Sequence, residues 1–230
     1  MVGLVVGNVI LTGGLAFILD RSIEQRAQQI FFAAMLGLYI FWPAVLYSIN
    51  IRLGASEINA SVSAVLICGG FLLGVLWRHN ILSSFSWAVQ KTWIALSVGI
   101  ALAYLSLESL YLSLVDPPEQ QFLSMSAEAS QLSLMGLSCF VVVIAPLIEE
   151  ILFRGMLYRL LLKRSTRRQA ILMSGLVFGL VHIEVPALIP LLVGLGWILG
   201  WLRQQSDSMV PPLVLHIVNN GLAMMLALSH

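Results

Sequence analysis

Long apolar runs, separated by short polar segments, recur along the whole chain. Most of them match the length of helix that crosses a bilayer core of about 30 Å. The pattern predicts an all-α fold, a polytopic membrane bundle of about eight transmembrane helices. The apolar runs cover residues 2–19, 30–49, 61–77, 92–115, 132–162, 170–185 and 187–202, and the last one begins at 211.

Two segments depart from this simple alternation. The fifth run, 132–162, is too long for one untilted span at about 1.5 Å per residue. Pro146 lies within it, three residues before Glu149. Because proline lacks a backbone N–H, it predicts a kink beside this glutamate. The more polar segment 78–90, which holds Phe85 among serines, predicts an interfacial loop or short helix.

Composition supports a membrane protein and argues against other classes. The chain is 59% hydrophobic and 10% charged, with a mean hydropathy of +0.95, values that exclude an ordinary soluble domain. The net charge is only +1, without the strong positive charge that is typical of nucleic-acid-binding proteins, so no nucleic-acid partner is expected. Cys68 and Cys139 lie in apolar runs without CxxC spacing. They are interpreted as small buried hydrophobic residues, not as a disulfide, metal ligands or nucleophiles.

Lysine and arginine are unevenly shared between the predicted loops. The first, third, fifth and seventh loops carry 2, 2, 5 and 1 of them, whereas the even loops carry Arg52 alone. Because cytoplasmic loops hold an excess of basic residues, the odd loops are predicted to be cytoplasmic and both termini outside. The expected location is the inner membrane of a cell. The five basic residues near 159–168 are interpreted as this topology signal, although anionic-lipid binding is an alternative.

Three charged side chains lie in the fifth run. An ionised group in a bilayer costs at least about 2.5 to 3.5 kcal/mol, so these charges must be paired or functional. Glu150 and Arg154 are one helical turn apart and can pair, whereas Glu149 faces a different sector. A structural ion pair that locks two helices is the alternative interpretation. The second glutamate, which has no basic residue at this spacing, favours a catalytic centre.

Two later runs carry polar side chains of the same kind. Glu149 and His182 are each about 13 residues, or roughly 20 Å, from their shared cytoplasmic loop, so neighbouring helices would bring them level. Gly175 and Gly179 would allow that close approach. In the last run His216 and Asn220 are four residues apart and share a helix face. Packing histidines and an interhelical hydrogen-bond patch are the simpler interpretations.

Together these residues form three motifs in a fixed order. They are EExxxR at 149–154, FxxxH at 178–182 and HxxxN at 216–220. The pattern resembles the CAAX-protease and bacteriocin-processing family of intramembrane glutamic endopeptidases. The resemblance implies that 92–230 is the catalytic helical bundle, preceded by N-terminal membrane helices in 1–91.

The resemblance also implies roles for the motif residues. Glu149, with His182, would activate a water, and His216 and Asn220 would stabilise the oxyanion. Supporting positions would be filled by Glu150, Arg154 and Phe178. No cofactor and no metal ion are expected.

The implied partners are the lipid bilayer and a peptide or protein substrate, lipidated or tail-anchored. Prenylated C-terminal peptides, bacteriocin leaders and C-terminal sorting tails are all compatible with the family. A zinc protease using the same glutamate and histidine residues is the first alternative, although HExxH is absent. The second is a non-enzymatic membrane protein, either a small transporter or an immunity protein that sequesters a peptide.

Overall fold

The computed structural model describes residues 57–78, 82–115, 131–183 and 185–228, with residues 48–52 and a few single positions between 32 and 46. Within these residues every regular element is a helix, which confirms the all-α fold class. The predicted run 2–19 and most of 30–49 lie outside the described residues. The total of about eight transmembrane helices therefore stays a prediction.

Each of the third to eighth apolar runs contains a helix near its predicted position. The helices are α1 (Glu57–Arg78), α2 (Lys91–Val115), α3 (residues 131–162), α4 (Arg167–Leu180), α5 (Ile189–Ser206) and α6 (Val210–Leu228). Among the described residues, three segments are long and apolar enough to cross a membrane. They are Lys91–Val115, Leu134–Leu162 and Pro186–Ser206.

Helix α3 changes its hydrogen-bond pattern along its length. The stretch Ala145–Glu150 is α-helical, but it lies between two wider π-helical segments, Phe140–Ile144 and Ile151–Leu157. Pro146 occupies the first turn of the α-helical stretch. The first π segment ends directly before this α-helical stretch, and the kink predicted at the proline stays a prediction. π-Helical segments occur frequently at functional sites.

Burial identifies α3 as the central helix of the described bundle. In the most apolar part of α3, 56% of the residues are buried inside the protein, whereas the corresponding value for α2 is 11%. The α3 residues Ile148, Ile151 and Phe153 are fully enclosed. By contrast, α2 exposes large apolar side chains such as Leu107 and Leu114. In a membrane protein such an apolar exterior contacts lipid, so α2 lies at the periphery and α3 inside.

Glycines bring α4 and α5 into backbone contact. A Cβ at Gly175 would lie 2.8 Å from the carbonyl carbon of Gly196, and one at Gly179 would lie 2.8 Å from the nitrogen of Val193. The predicted close approach at Gly175 and Gly179 is confirmed, but its partner is α5. The expectation that these glycines pack on the helix that carries Glu149 was wrong.

Polar residues form the turn before α4 and the turn after α5. Thr166 caps α4, since its hydroxyl accepts from the backbone of Gln169 while the Gln169 side chain accepts from the backbone of Thr166. At the end of α5, Asp207 adopts the left-handed conformation, with φ of 47°. Its carboxylate also accepts a hydrogen bond from Arg203 at 3.0 Å. Both turns are therefore built from the chain's own polar residues.

The polar segment before α2 packs against α3. It begins with a 3-10 turn, Leu82–Ser84, and continues without regular structure to α2, as predicted. Phe85 is buried, and a Cβ at Gly155 would lie 2.7 Å from its ring. The guanidinium of Arg159 lies 5.7 Å from the centre of the same ring and donates to the Ser84 carbonyl at 3.2 Å. Gly155 thus provides the space into which Phe85 packs.

Candidate active site

The buried charges of α3 form an ion pair. Arg154 Nη1 lies 3.1 Å from Glu150 Oε1, one turn away, as the four-residue spacing predicts. Arg154 is completely buried and Glu150 is 1% exposed. The other terminal nitrogen, Arg154 Nη2, donates to the Gly196 carbonyl of α5 at 3.1 Å. The pair therefore connects α3 to α5 at the same level at which α4 and α5 touch.

Phe178 completes the surroundings of Arg154. The guanidinium carbon lies 4.5 Å from the centre of the Phe178 ring, which is a cation–π contact. Phe153 packs edge-on against Phe178, with ring centres 5.2 Å apart. A carboxylate, a carbonyl and two aromatic rings thus hold the guanidinium. The supporting position given to Phe178 in the motif corresponds to this contact.

His216 of α6 reaches both glutamates. Its Nδ1 lies 3.0 Å from Glu150 Oε1, and its Nε2 lies 3.5 Å from Glu149 Oε2. The imidazole is 3% exposed. Because an ionised carboxylate only accepts hydrogen bonds, Nδ1 carries a hydrogen towards Glu150 and Nε2 faces Glu149. The carboxylates of these two adjacent residues contact the two nitrogens of one ring, which the sequence did not predict.

His182 lies immediately after α4 instead of inside the helix. Helix α4 has 14 residues and ends at Leu180, and the backbone N–H of His182 donates to the Gly179 carbonyl at 3.2 Å. The ring Nδ1 lies 2.8 Å from the Phe178 carbonyl. Since a carbonyl accepts, Nδ1 donates, and in the neutral ring Nε2 is left as an acceptor. This contact selects the tautomer of His182.

The Phe178 ring also contacts both histidines. Its ring centre is 5.2 Å from that of His182 and 5.6 Å from that of His216. Both imidazoles therefore contact the same aromatic ring that covers Arg154. The structure brings Glu149, Glu150, Arg154, His216 and Phe178 into one cluster, and His182 joins it through Phe178. Direct cooperation of Glu149 with His182 stays a prediction.

Asn220 is anchored to the backbone of α3. Its side-chain Nδ2 donates to the Val141 carbonyl at 3.0 Å. The next residue, Gly221, faces the same part of α3: a Cβ at this position would lie 3.5 Å from the Val142 side chain. An amide nitrogen has two hydrogens, so one remains after this bond is made. The predicted pairing of His216 and Asn220 on one face of α6 matches their common direction towards α3.

Two tyrosines of α2, which the sequence motifs did not include, hold the chain after His182. The Tyr111 hydroxyl donates to the Ala187 carbonyl at 2.8 Å, and the Tyr104 hydroxyl donates to the Leu191 carbonyl. Their seven-residue spacing places both on one face of α2, which was the available signal. They fix the turn Pro186–Leu188 that follows His182.

The cysteines lie away from these contacts. Both are free thiols, which agrees with the prediction that no disulfide joins them. Cys68 is partly buried, but Cys139 is exposed on α3, so the expectation of a buried Cys139 was wrong. The face of an apolar helix that meets lipid cannot be told from its core-facing side by composition alone. Within the described ranges, no three histidine, cysteine, aspartate or glutamate side chains are arranged to hold a metal ion.

Comparison with protein families identifies a match in the second half of the chain. Residues 131–222 match the family model described as type II CAAX prenyl endopeptidase Rce1-like. The matched segment begins with α3 and contains all three motifs, and it confirms the family resemblance drawn from them. No curated protein and no solved structure matches the chain. The matched family indicates a membrane-embedded protease of the CAAX type.

Proposed function

From this family match, we propose that the protein is an intramembrane glutamic endopeptidase in which Glu149 activates the attacking water. The observation that carries the proposal is the contact of one histidine with both glutamates of the EExxxR motif, at 3.0 and 3.5 Å from His216. Hydrolysis of an amide needs a base for the water and donors for the tetrahedral oxygen. This cluster supplies both from side chains.

The contacts of the two glutamates support Glu149 as the base. Arg154 lies 3.1 Å from Glu150, and His216 Nε2 lies 3.5 Å from Glu149. We assign a hydrogen to both nitrogens of His216, so that Nδ1 donates to Glu150 and Nε2 donates to Glu149, which then acts as the base.

The proposed reaction follows from this arrangement. Glu149 takes a proton from water, whose oxygen attacks the scissile carbonyl carbon, while His182 Nε2 accepts a hydrogen bond from the water's other hydrogen. The oxyanion accepts hydrogen bonds from His216 Nε2–H and the second amide hydrogen of Asn220. When the intermediate collapses, the C–N bond breaks, the carbonyl reforms, and Glu149 passes its proton to the leaving amine.

Each supporting residue has a specific function in this scheme. Arg154 pairs with Glu150, and Glu150 in turn orients the His216 ring through Nδ1. Phe178 packs on Arg154 and on both histidines, which holds the three groups in register. We assign this machinery to the bundle 92–230, and treat 1–91 as a separate set of membrane helices.

The matched family and the membrane location support a proposal for the substrate class. A prenylated peptide is an apolar-anchored chain that a membrane enzyme can meet in the bilayer, so we propose cleavage near the C terminus of such a peptide. Bacteriocin leaders and C-terminal sorting tails are the other peptide classes compatible with this site. All of them present a scissile amide close to a membrane-associated segment.

The test is a cleavage assay with the full-length protein in lipid nanodiscs. Fluorogenic peptides ending in a farnesylated CAAX sequence are compared with the same peptides lacking the farnesyl group. We expect cleavage near the C terminus of the farnesylated peptide and a loss of about 10² to 10⁴ in turnover for Glu149→Gln. Full activity of Glu149→Gln would overturn the glutamate mechanism. Binding without cleavage by the unaltered protein would favour a transporter or immunity protein.

A further inference from the structure

One backbone carbonyl of α3 lacks a donor within the helix. In the π segment Phe140–Ile144 the N–H of Ala145 bonds to the Phe140 carbonyl, five residues back. The next bond of this series would join the nitrogen of residue 146 to the Val141 carbonyl. Residue 146 is a proline and has no N–H to donate. Since a bilayer provides no donors, the Val141 oxygen needs a partner from another element.

Asn220 supplies that partner from α6. Its Nδ2 lies 3.0 Å from the Val141 oxygen, across 79 positions of sequence. Asn220 follows His216 by one helical turn, so the anchored amide belongs to the face that carries His216. The bond uses one amide hydrogen and fixes the direction of the other. The missing donor at Pro146 therefore determines where the second hydrogen of Asn220 points.

We infer that Pro146 is a positioning residue that sets the Asn220 amide by leaving the Val141 carbonyl for it. An N–H at position 146 would satisfy this carbonyl inside the helix and release the amide to rotate. The catalytic part of this inference rests on the proposed function, in which Asn220 donates to the oxyanion. The hydrogen-bond coupling of Pro146 and Asn220 does not depend on it.

A double-mutant cycle tests the coupling by stability alone. Full-length protein, Pro146→Ala, Asn220→Ala and the double variant are compared by thermal unfolding in the same nanodiscs. Asn220→Ala should lower the melting temperature when Pro146 is present, because it strands the Val141 carbonyl. It should have little effect in the Pro146→Ala background, where the backbone N–H of the introduced alanine donates instead. Equal losses in both backgrounds would overturn the inference.

Turnover of the same four proteins is the second measurement in the double-mutant cycle. Pro146→Ala should lower kcat about 10- to 100-fold with KM nearly unchanged, as expected for a misplaced catalytic group. Asn220→Ala should lower kcat by about 10² to 10³, and the double variant should be no worse than Asn220→Ala. A proline that only shapes the helix would instead lower kcat by the same factor in both backgrounds.

Controls separate the possible failures. Pro190→Ala removes a proline from the first turn of α5, a helix that holds neither Val141 nor Asn220, and it should not couple to Asn220→Ala. If Pro146→Ala does not fold, Asn220→Asp tests the same bond, since a carboxylate facing the Val141 carbonyl should lower the melting temperature at least as much as alanine. A stable Asn220→Asp would contradict the inference. Coupled melting temperatures in a protein without peptidase activity would refute the proposed function and leave the Pro146–Asn220 link standing.

Discussion

The ring of Phe178 lies 4.5 Å from the guanidinium carbon of Arg154, and both side chains are buried. A desolvated contact of this kind stabilises a protein by up to about 2 kcal/mol. It also connects α4 to the charged pair of α3, so Phe178 couples the position of the histidines to that of the arginine.

Phe178→Leu should therefore destabilise the protein, because leucine keeps an apolar side chain but removes the ring face. We expect a loss of about 1 to 3 kcal/mol, combining the cation–π contact and imperfect packing. Chemical unfolding in mild detergent measures it. Phe71→Leu on the exposed face of α1 is the matched control and should change stability by no more than about 0.5 kcal/mol. Equal losses for both variants would contradict the role of Phe178.

The two glutamates should respond differently to the same change. Glu149→Gln should abolish cleavage and leave a folded protein, because it removes the base but preserves shape. Glu150→Gln should cost about 3 to 5 kcal/mol of stability, since it leaves the buried Arg154 without its counter-charge. Thermal unfolding of the two variants side by side is the measurement. Identical melting temperatures would refute this division of roles.

Substitutions of His182 can separate the roles of its two ring nitrogens. Asparagine can donate from a position close to that of Nδ1, so His182→Asn should keep the bond to the Phe178 carbonyl and the melting temperature. It lacks a group at the Nε2 position, and turnover should fall by about 10² to 10⁴. His182→Ala should lose both stability and turnover. Cleavage by His182→Asn at the original rate would exclude Nε2 from water activation.

Dependence on metal separates the glutamate mechanism from the zinc alternative. Protein treated with a chelator and then freed of it should keep its activity, because base and donors are all side chains in the proposed scheme. Asn220→Ala should lose about 10² to 10³ in turnover and gain nothing from added zinc, since a neutral amide is a poor zinc ligand. Stoichiometric zinc in the purified protein, with activity restored by zinc alone, would support the alternative.

Membrane orientation is tested by labelling. Single cysteines at Ser165 and Ser126, in a background without Cys68 and Cys139, should react with an impermeant reagent from opposite sides of the membrane. Ser165 should be cytoplasmic because its loop carries the largest share of basic residues. Labelling of both positions from one side would contradict the eight-helix topology.

The sequence predicted the features that depend on local spacing. The described helices lie near the predicted apolar runs, and Glu150 and Arg154 pair at four-residue spacing as expected. Apolar length and helical periodicity are properties of neighbouring residues, and therefore they can be read along one chain. The three motifs also identified the side chains that form the cluster in α3, α4 and α6.

What the sequence did not predict depends on contacts between distant elements. Nothing near His216 indicated that one ring would touch both glutamates, because that contact requires the placement of α6 on α3. Gly175 and Gly179 predicted a close approach but not its partner. A glycine in the sequence indicates that another element can come close, but it does not indicate which element does so. The position of His182 beyond the end of α4 was missed because the apolar run continues past the last helical residue.

Gly155 links the surface segment before α2 to the electrostatics of the charged pair. Phe85 packs directly on this residue, which follows Arg154 in the chain. A side chain at position 155 would collide with the Phe85 ring and separate the segment before α2 from α3. Any water admitted at this point would enter one residue away from Arg154. At about 4 Å the attraction of two unit charges falls from about 4 kcal/mol at an effective dielectric constant near 20 to about 1 kcal/mol in bulk water.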